Sequence, residues 1–301
     1  MTSPGEPAGG PRGGPSGRPG GRLLVVGTPI GNLGDLSPRA GEALRTADLV
    51  VAEDTRLAAR LLAHLGARTP TLSFNEHNAA ARLPGLLARL AGGATLALTT
   101  DAGMPAVSDP GAELVAAARA AGHGIESVPG PSAVTTALSL AGIGASGFVF
   151  GGFLPARPAA ARRAALERHR AACGALELPL VLYEAPHRVT ALLRELHTVA
   201  PDARVAVCRE LTKRHEEVLT GRPAEVAAQL AEPRGEFTLV VSGLAQAPAD
   251  APRDFDVDGL VRTARAAGLG PRAVVELLRG AGLARREAYR LAQPPASSPD
   301  R

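Results

Sequence analysis

The sequence predicts an α/β protein made of two α/β domains, with a parallel sheet in the first, a mixed sheet in the second and a short helical segment after them. Three observations lead to this prediction. Short apolar runs alternate with amphipathic helical patterns through the first half of the chain. Hydrophobic residues make up 45% of the 301 residues, which is enough for a sizeable core. No apolar run reaches the roughly 18 residues that cross a membrane.

Changes in composition divide the chain into parts. Both ends and one internal stretch are rich in small residues and proline and have little to bury, as is typical of tails and linkers. The predicted parts, in order, are a disordered tail (1–21), an N-terminal α/β domain (22–130), a C-terminal α/β domain (131–244), a linker (245–256), a helical segment (257–293) and a tail (294–301).

The strands of the first domain are predicted from short apolar runs of the kind that parallel sheets bury. They are expected at 22–26, 49–52, 71–74, 94–99 and 125–128. Because helical patterns separate most of these strands, the sheet is predicted to be parallel.

The helices of the first domain are predicted from caps and periodicity. The first begins near Ser37-Pro38, and the second is capped by Asp54 or Thr55. The helix at 110–121 is expected to start with Asp109 as its cap and Pro110 at its first position. The side chains expected to face the core are Ala40, Ala43, Leu44 and Ala47 in the first helix and Leu57, Leu61, Leu62 and Leu65 in the second.

The second domain is predicted to be less regular. Its strands are expected at 148–152, 180–184, 204–209, 217–220 and 237–242, and its helices at 132–141, 156–172, 187–199 and 223–231. Antiparallel pairing of 217–220 with 237–242 would make the sheet mixed. In the C-terminal segment, Gly280-Ala-Gly282 separates two short helices in the manner of a helix-turn-helix. Such glycine turns are common, so this pattern does not predict DNA binding.

Three loops rich in glycine and proline follow predicted strands, at Gly27, Gly103 and Gly130. Because the carboxyl ends of parallel strands meet at one edge of a sheet, we expect these loops to wall a single ligand site. The first loop is not a nucleotide-binding motif, since GxGxxG needs other glycine spacings and a P-loop needs GKS or GKT. Pro29 also removes an amide that a phosphate cradle would use. Nicotinamide and nucleoside triphosphate sites are therefore disfavoured.

Composition excludes several classes of protein. Aromatic residues are 3% of the chain and tryptophan is absent, which disfavours a nucleic-acid binder built on rows of stacked rings. The net charge of +4 permits a polyanionic partner without requiring one. Cys173 and Cys208 lack CxxC spacing and no HExxH occurs, so neither a disulfide framework nor a metal site is predicted. With no signal-peptide core at the N-terminus, we expect a cytoplasmic protein that makes no membrane contact.

Four motifs resemble the tetrapyrrole methylase superfamily, whose members use S-adenosylmethionine. They are GTPIGNL (27–33), TDAGMPAVSDPG (100–111), VPGPSAVTTAL (128–138) and GEFTLVVSG (235–243). Five further motifs are similar to the branch that methylates the 2′-hydroxyl of a cytidine in the decoding region of 16S rRNA. They are EDTR (53–56), FNEHN (74–78), GFLP (152–155), YEAPHR (183–188) and RELTK (209–213).

The resemblance implies a cofactor cleft between the two domains, a homodimer, and 16S rRNA or the small ribosomal subunit as the partner. The residues implied to hold S-adenosylmethionine are Pro29, Asp101, Ala102, Gly103, Met104, Pro105, Ser132, Ala133, Tyr183 and Glu236. Two positions depart from the family pattern: Thr100 stands where serine is common, and Met104 where threonine is common. Both residues can still present backbone groups to a cofactor.

The implied reaction, methyl transfer to a ribose hydroxyl, requires alignment of the reacting atoms and invites a general base. The residues put forward are Glu53, Asp54, Glu184 and His187, and His77, Asp101 and Glu210 are also considered. Each has a structural alternative. Asp54 could be only a helix cap, His187 a helix-start residue, and Glu210 a partner of a nearby cation.

Four cations in these motifs are assigned as phosphate contacts, because arginine's fork suits phosphate oxygens. They are Arg56, Arg188, Arg209 and Lys213. The alternative for each is a structural ion pair. Two other functions stay open at this point: C-methylation of a corrin or sirohaem precursor on the same fold, and rRNA binding by an assembly factor without turnover.

Overall fold

The computed structural model describes residues 20–144, 146–230, 233–244, 257–280, 283 and 285–293. Contacts divide the chain into two compact units, 1–245 and 246–301. The first unit contains two five-stranded sheets, and the second contains helices. The predicted tails and linker fall almost wholly outside the described residues. Within those residues, no helix is both long enough and apolar enough to cross a membrane.

The first sheet is parallel throughout, as predicted. Its strands are β1 (Arg22–Val26), β2 (Leu49–Ala52), β3 (Thr71–Ser73), β4 (Thr95–Thr99) and β5 (Gly124–Val128), in the order β3-β2-β4-β1-β5. Its helices are α1 (Pro38–Thr46), α2 (Thr55–His64), α3 (Ala79–Ala91) and α4 (Ala112–Ala120). Because the chain order reverses between β1 and β4, the loops after these strands border a crevice at the carboxyl edge.

The caps of α1 and α2 follow the sequence prediction. Ser37 accepts a hydrogen bond from the amide of Ala40, and Asp54 accepts one from the amide of Arg56. All four predicted core residues of α1 and its cap are buried. In α2, however, Leu57 is 39% exposed, so the prediction that it points inward is wrong. The helix contacts the core through Leu62, which is buried, and through Ala58, Leu61 and Leu65, which pack against the same cluster.

The start of α4 differs from the prediction. The helix begins at Ala112 with Gly111 as its cap residue, so Asp109 does not cap it and Pro110 is not its first residue. Gly111 has a φ of 123° and a Cβ on it would lie 2.9 Å from Leu98 Cδ2. The chain therefore passes close beneath β4 in a conformation that favours glycine. The carboxylate of Asp109 is therefore not used as a helix cap.

The second sheet is mixed, as predicted, but its pairing differs. Its strands are β6 (Val149–Phe153), β7 (Leu180–Glu184), β8 (Arg204–Arg209), β9 (Glu217–Gly221) and β10 (Phe237–Ser242), in the order β6-β7-β10-β8-β9. β9 pairs with β8, so the expected pairing of β9 with β10 is wrong. β10 is buried along nearly its whole length and takes a central place, between β7 and β8. The half-exposed β9 lies at the edge.

Four helices accompany the second sheet: α5 (Ala133–Ala141), α6 (Ala159–Leu176), α7 (Pro186–Val199) and α8 (Pro223–Gln229). The basic helix α6 begins three residues later than predicted. Two of its arginines, Arg162 and Arg170, are largely buried in ion pairs with Glu195 and Glu167. Its charge is therefore partly structural.

The second compact unit contains α9 (Val257–Ala266), α10 (Pro271–Gly280) and α11 (Arg285–Ala292). These helices bury a small cluster that includes Val261, Val274 and Leu278. Most of the predicted glycine turn between the last two helices lies outside the described residues.

Candidate active site

The three glycine-proline loops meet at the carboxyl edge of the first sheet, as expected from the sequence. The amide of Thr28 donates to the carbonyl of Gly103 at 2.9 Å, and the amide of Gly103 donates back at 3.1 Å. A Cβ on Gly27 would lie 2.6 Å from the Cα of Gly130, so the two backbones approach as only glycine permits. The first and third loops are thereby locked against each other.

A cleft of about 420 Å³ opens between these loops and the second sheet, inside the first compact unit. Eight of the ten residues predicted to hold the cofactor line it, namely Asp101, Ala102, Gly103, Met104, Ser132, Ala133, Tyr183 and Glu236. Pro29 and Pro105 do not line it. Pro29 lines a neighbouring cavity, and Pro105 is buried within its own loop.

Thr100 and Met104, the two residues that depart from the family pattern, are both compatible with a cofactor site. Thr100 is 6% exposed and its hydroxyl donates to Glu53 Oε2 at 2.7 Å, as a serine hydroxyl would. The half-buried Met104 lines the cleft, and its sulfur lies close to Gly27. Neither substitution closes the cleft.

Carboxylates dominate the charge of the cleft. Those that line it are Glu53, Asp101, Asp109, Glu184 and Glu236, and no arginine or lysine is among its described lining residues. Two of the five have cationic partners just outside: Arg188 for Glu184, and Lys213 for Glu236. The other three leave the cleft with negative potential. Such a site favours a positively charged ligand.

Asp109 is the carboxyl that the sequence prediction missed. Burial above all, together with the charges of Glu53 and Asp101, raises its pKa to about 6 against the opposing effect of a hydrogen bond from Thr100. Burial and Glu53 also raise the pKa of Asp101, whose Oδ1 accepts the amide hydrogen of Asp54 at 3.1 Å. The Asp-Pro pair is typical of a helix start, and no sequence signal distinguishes it from a residue that faces a ligand.

Glu184 and Arg188 form a buried pair. The carboxylate is fully buried, the arginine side chain is 16% exposed, and Glu184 Oε1 lies 2.6 Å from the guanidinium. The same guanidinium donates to the carbonyl of Leu154 at 3.0 Å. These contacts favour the structural alternative for Arg188, an ion pair, over a phosphate contact. Glu184 Oε2 is buried without a hydrogen-bond partner among the described residues, so a donor on a cleft ligand would satisfy it.

Asp54 is a weak candidate for a general base. Its carboxylate binds Arg56 at 2.5 Å, and the hydrogen bonds from Arg56 lower the pKa of Asp54 to about 2. A carboxylate with such a low pKa is a poor proton acceptor. Arg56 remains 86% exposed and can reach a phosphate. His187 is exposed and lies outside the cleft lining.

The motif around Lys213 is a charge network. Lys213 Nζ lies 2.9 Å from both Glu210 Oε1 and Glu236 Oε2. Arg209 donates to the carbonyl of Arg234 at 2.8 Å. Glu210 is therefore a partner of a nearby cation, the structural alternative to its role as a base. Arg209 and Lys213 stay predicted phosphate contacts.

A second, polar cavity of about 490 Å³ adjoins the cleft and shares Glu53, Asp101 and Ser108 with it. Its other lining residues are Asp54, Thr55, Arg56, Ser73, Asn75, Glu76, His77 and Pro110. Asn75 and Asn78 hold the loop after β3 in place, since the amide of Asn75 donates to Asn78 Oδ1 at 2.9 Å. Glu76 and His77 are exposed at the tip of that loop. We call this cavity the polar pocket.

Three of the chain's eight aromatic rings gather at the cleft. Phe150 packs edge-on against Tyr183 at 5.1 Å, and the ring of Phe153 is tilted against Tyr183 at 5.4 Å. Tyr183 and the 57% exposed Phe153 line the cleft. Burial, and then the charge of Asp109, raise the pKa of Tyr183 to about 12, so its hydroxyl stays protonated. The rings offer stacking surface for a flat ligand. Among the described residues, no group of three or more His, Cys, Asp or Glu is placed to hold a metal.

Comparison with known proteins gives a family and a fold. The model of the tetrapyrrole (corrin/porphyrin) methylases matches residues 22–227. A ribosomal RNA small subunit methyltransferase I from Xylella fastidiosa is 46% identical over 229 residues, covering 74% of this chain and 82% of that protein. A protein of the same name from Synechocystis is 41% identical over 278 residues, covering 89% of this chain and 96% of that protein.

Solved structures share the fold at low identity. Diphthine synthase superposes with a TM-score of 0.59 at 15% identity, covering 73% of this chain and 90% of that one. A uroporphyrin-III C-methyltransferase from Thermus thermophilus, complexed with S-adenosylhomocysteine, superposes with a TM-score of 0.54 at 20% identity, covering 74% and 98%.

Proposed function

The chain belongs to the tetrapyrrole (corrin/porphyrin) methylase family, and from this premise we propose that it methylates 16S rRNA of the small ribosomal subunit. It is an S-adenosylmethionine-dependent rRNA methyltransferase, and its acceptor is the 2′-hydroxyl of a cytidine ribose. The observation that carries the proposal is the acidic cleft, walled by three interlocked loops, beside the polar pocket.

The residues of the cleft fit S-adenosylmethionine. This cofactor supplies an activated methyl group on a positively charged sulfur. The net negative lining suits that charge, and the buried Glu184 Oε2 lacks the donor that a bound cofactor would bring. Asp101–Met104, Ser132, Ala133, Tyr183 and Glu236 would hold it, in the cleft between the proposed domains 22–130 and 131–244.

The polar pocket is the proposed place for the acceptor nucleoside. It shares a wall with the cofactor cleft, so a ribose hydroxyl in the pocket would meet a methyl group in the cleft at Glu53 and Asp101. Holding two reactants in line contributes roughly 7–11 kcal/mol to lowering a barrier. The carboxylate of Glu76 at the pocket rim is suited to accept a hydrogen bond from the amino group of cytosine.

Arg56 is the proposed phosphate contact nearest to this pocket, because it lines the pocket and is 86% exposed. Arg209 and Lys213 are proposed to contact RNA farther along the second sheet. Arg188 is not proposed to contact RNA, since it forms an ion pair with the buried Glu184.

The alternative functions have less support. The tetrapyrrole C-methyltransferases share only the fold at 19 and 20% identity, whereas the relatives above 40% identity are named rRNA methyltransferases. An assembly factor without turnover was suggested by Thr100 and Met104. Thr100 keeps the hydroxyl chemistry of serine, and Met104 leaves the cleft open.

We also propose that the chain acts in the cytoplasm as a homodimer. Exposed apolar side chains near one end of the second sheet, Phe148 and Leu176, are 43% and 61% exposed and would be covered in a dimer. Light scattering of the purified protein tests this, and a monomer at micromolar concentration would contradict it.

One assay tests the function. Purified enzyme receives labelled S-adenosylmethionine with small ribosomal subunits, naked 16S rRNA or a precorrin, and nuclease digestion with mass spectrometry locates the label. We expect 2′-O-methylcytidine. Label on a base carbon or on the tetrapyrrole would contradict the proposal, and binding without label would support the assembly factor.

A further inference from the structure

The hydroxyl of Thr100 lies between two carboxylates at the wall of the cleft. It donates to Glu53 Oε2 at 2.7 Å, and it lies close enough to Asp109 for a hydrogen bond to that carboxyl to lower the pKa of Asp109. A hydroxyl has a single hydrogen to donate. When both acids are ionised, Thr100 can satisfy only one of them, and the other faces an oxygen lone pair. This arrangement is more favourable when the two acids hold one proton.

Asp109 has no cation to stabilise its ionised form among the described residues. The titratable groups that face it are Glu53, Asp101 and Tyr183, none of which can be positive. Three other acids of the cleft and its border, Glu184, Glu236 and Asp54, each bind an arginine or a lysine, and the charge of Arg56 opposes the rise in the pKa of Asp101. The negative charge of Asp109 is therefore less stabilised than the charges of these four acids, and its pKa of about 6 agrees with this.

Asp109 also stands between the two cavities. It lines the cofactor cleft, and the residues on either side of it, Ser108 and Pro110, line the polar pocket. A group at this place can reach an atom that passes from one cavity to the other. Glu53 and Asp101 also border both cavities, but each carboxylate already accepts a hydrogen bond, from the Thr100 hydroxyl and from the Asp54 amide.

We propose that Asp109 accepts the proton of the ribose 2′-hydroxyl, and that Thr100 and Glu53 position it. This inference rests on the proposed methyltransferase function. In the step, the hydroxyl oxygen forms a bond to the methyl carbon, and the carbon–sulfur bond breaks with its electron pair going to sulfur. The hydroxyl proton goes to a carboxylate oxygen of Asp109, which later releases it to water.

The positive charge of a bound methyl donor, and its loss on transfer, would change the proton affinity of Asp109 during the reaction. A cation bound in the cleft stabilises ionised Asp109, so the carboxylate is ready before transfer. Transfer removes the positive charge from the ligand, and the proton affinity of Asp109 then rises. The same residue thus helps to bind the methyl donor and takes up the proton that the reaction releases.

Binding experiments test the charge without catalysis. Calorimetry between pH 5 and pH 8 compares S-adenosylmethionine with S-adenosylhomocysteine, whose sulfur is neutral, for the wild type and Asp109→Asn. We expect the Kd of S-adenosylmethionine to fall about fivefold with rising pH through pH 6 in the wild type, as for a carboxyl whose pKa drops by about one on binding. We expect little change for S-adenosylhomocysteine or in the variant. Equal pH dependence for both ligands, or its persistence in Asp109→Asn, would overturn the proposal.

Single-turnover transfer to small subunits tests the proton step. We expect Asp109→Asn to slow transfer by about 10²- to 10⁴-fold at saturating cofactor. Thr100→Val should move the midpoint of the pH–rate profile upward, because it removes the hydrogen bond that opposes the raised pKa of Asp109. Thr100→Ser keeps the hydroxyl and should leave the midpoint at its wild-type position. Asp202→Asn, at an exposed turn, is the matched control.

The outcomes separate the two proposals. If Asp109→Asn binds S-adenosylhomocysteine normally yet transfers methyl within threefold of the wild-type rate with an unchanged pH profile, Asp109 is not the acceptor. If the wild type methylates no rRNA in any form, the proposed function itself fails.

Discussion

Replacing Arg188 by alanine should destabilise the fold, because it strands a buried negative charge. Glu184 is fully buried, and Arg188 supplies its only cationic partner among the described residues at 2.6 Å. Removing one member of a buried ion pair typically costs about 3–5 kcal/mol. The carbonyl of Leu154 loses its 3.0 Å donor in the same change. We expect the free energy of unfolding, measured in urea, to fall by about 3–5 kcal/mol.

Two further variants make this measurement decisive. Arg188→Ala combined with Glu184→Gln removes the stranded charge, so we expect it to recover roughly half of the loss, since a neutral amide is less costly to bury. Arg194→Ala, on the exposed side of the same helix, should change stability by no more than about 0.5 kcal/mol. If Arg188→Ala loses less than about 1 kcal/mol while rRNA binding weakens tenfold, the pair is unimportant and Arg188 contacts phosphate after all.

Four other changes test the site and the fold. Asp101→Ala should weaken S-adenosylmethionine binding about tenfold in calorimetry, and equal affinity in wild type and variant would refute its assignment to the cofactor. Gly27→Ala should reduce cofactor binding and stability, because its Cβ would lie 2.6 Å from Gly130 Cα. By contrast, Gly85→Ala meets nothing within 4 Å in α3 and should stabilise by about 0.5–1 kcal/mol in urea unfolding. The pKa of Asp54 is lowered to about 2 when folded, so its contribution to stability is complete above its unfolded pKa of about 3.8 and is lost as pH falls toward 2. Acid titration of unfolding should show this loss in the wild type and not in Asp54→Asn.

Sequence reasoning located the cleft because its main determinant is local. A parallel strand ends in a loop at a known edge, so the loops at Gly27, Gly103 and Gly130 could be brought together without a structure. The pairing of β9 could not be predicted from the sequence, because the order of strands in a sheet depends on which strands are buried on both faces. The backbone conformation of Gly111 could not be predicted either, since it follows from close packing against Leu98.

The roles of charged residues were the least predictable. Arg188 follows Glu184 by four residues, yet a strand end and a helix start separate them, so helical spacing gives no indication of their contact. Asp109 was assigned to a helix start that the fold places at Ala112. The partner of Arg188 depends on burial and the start of α4 depends on the path of the chain, and both are properties of the tertiary fold.

The distribution of charge explains how one small protein can handle both a cation and a polyanion. The cofactor cleft is acidic, so it attracts a sulfonium and repels the phosphates of RNA. The exposed Arg56 lies at the polar pocket, where a phosphate can approach without entering the cleft. RNA can therefore present a ribose at the shared wall while its backbone stays outside. A basic residue placed inside the cleft would remove this separation, since it would weaken binding of the methyl donor and draw the backbone inward.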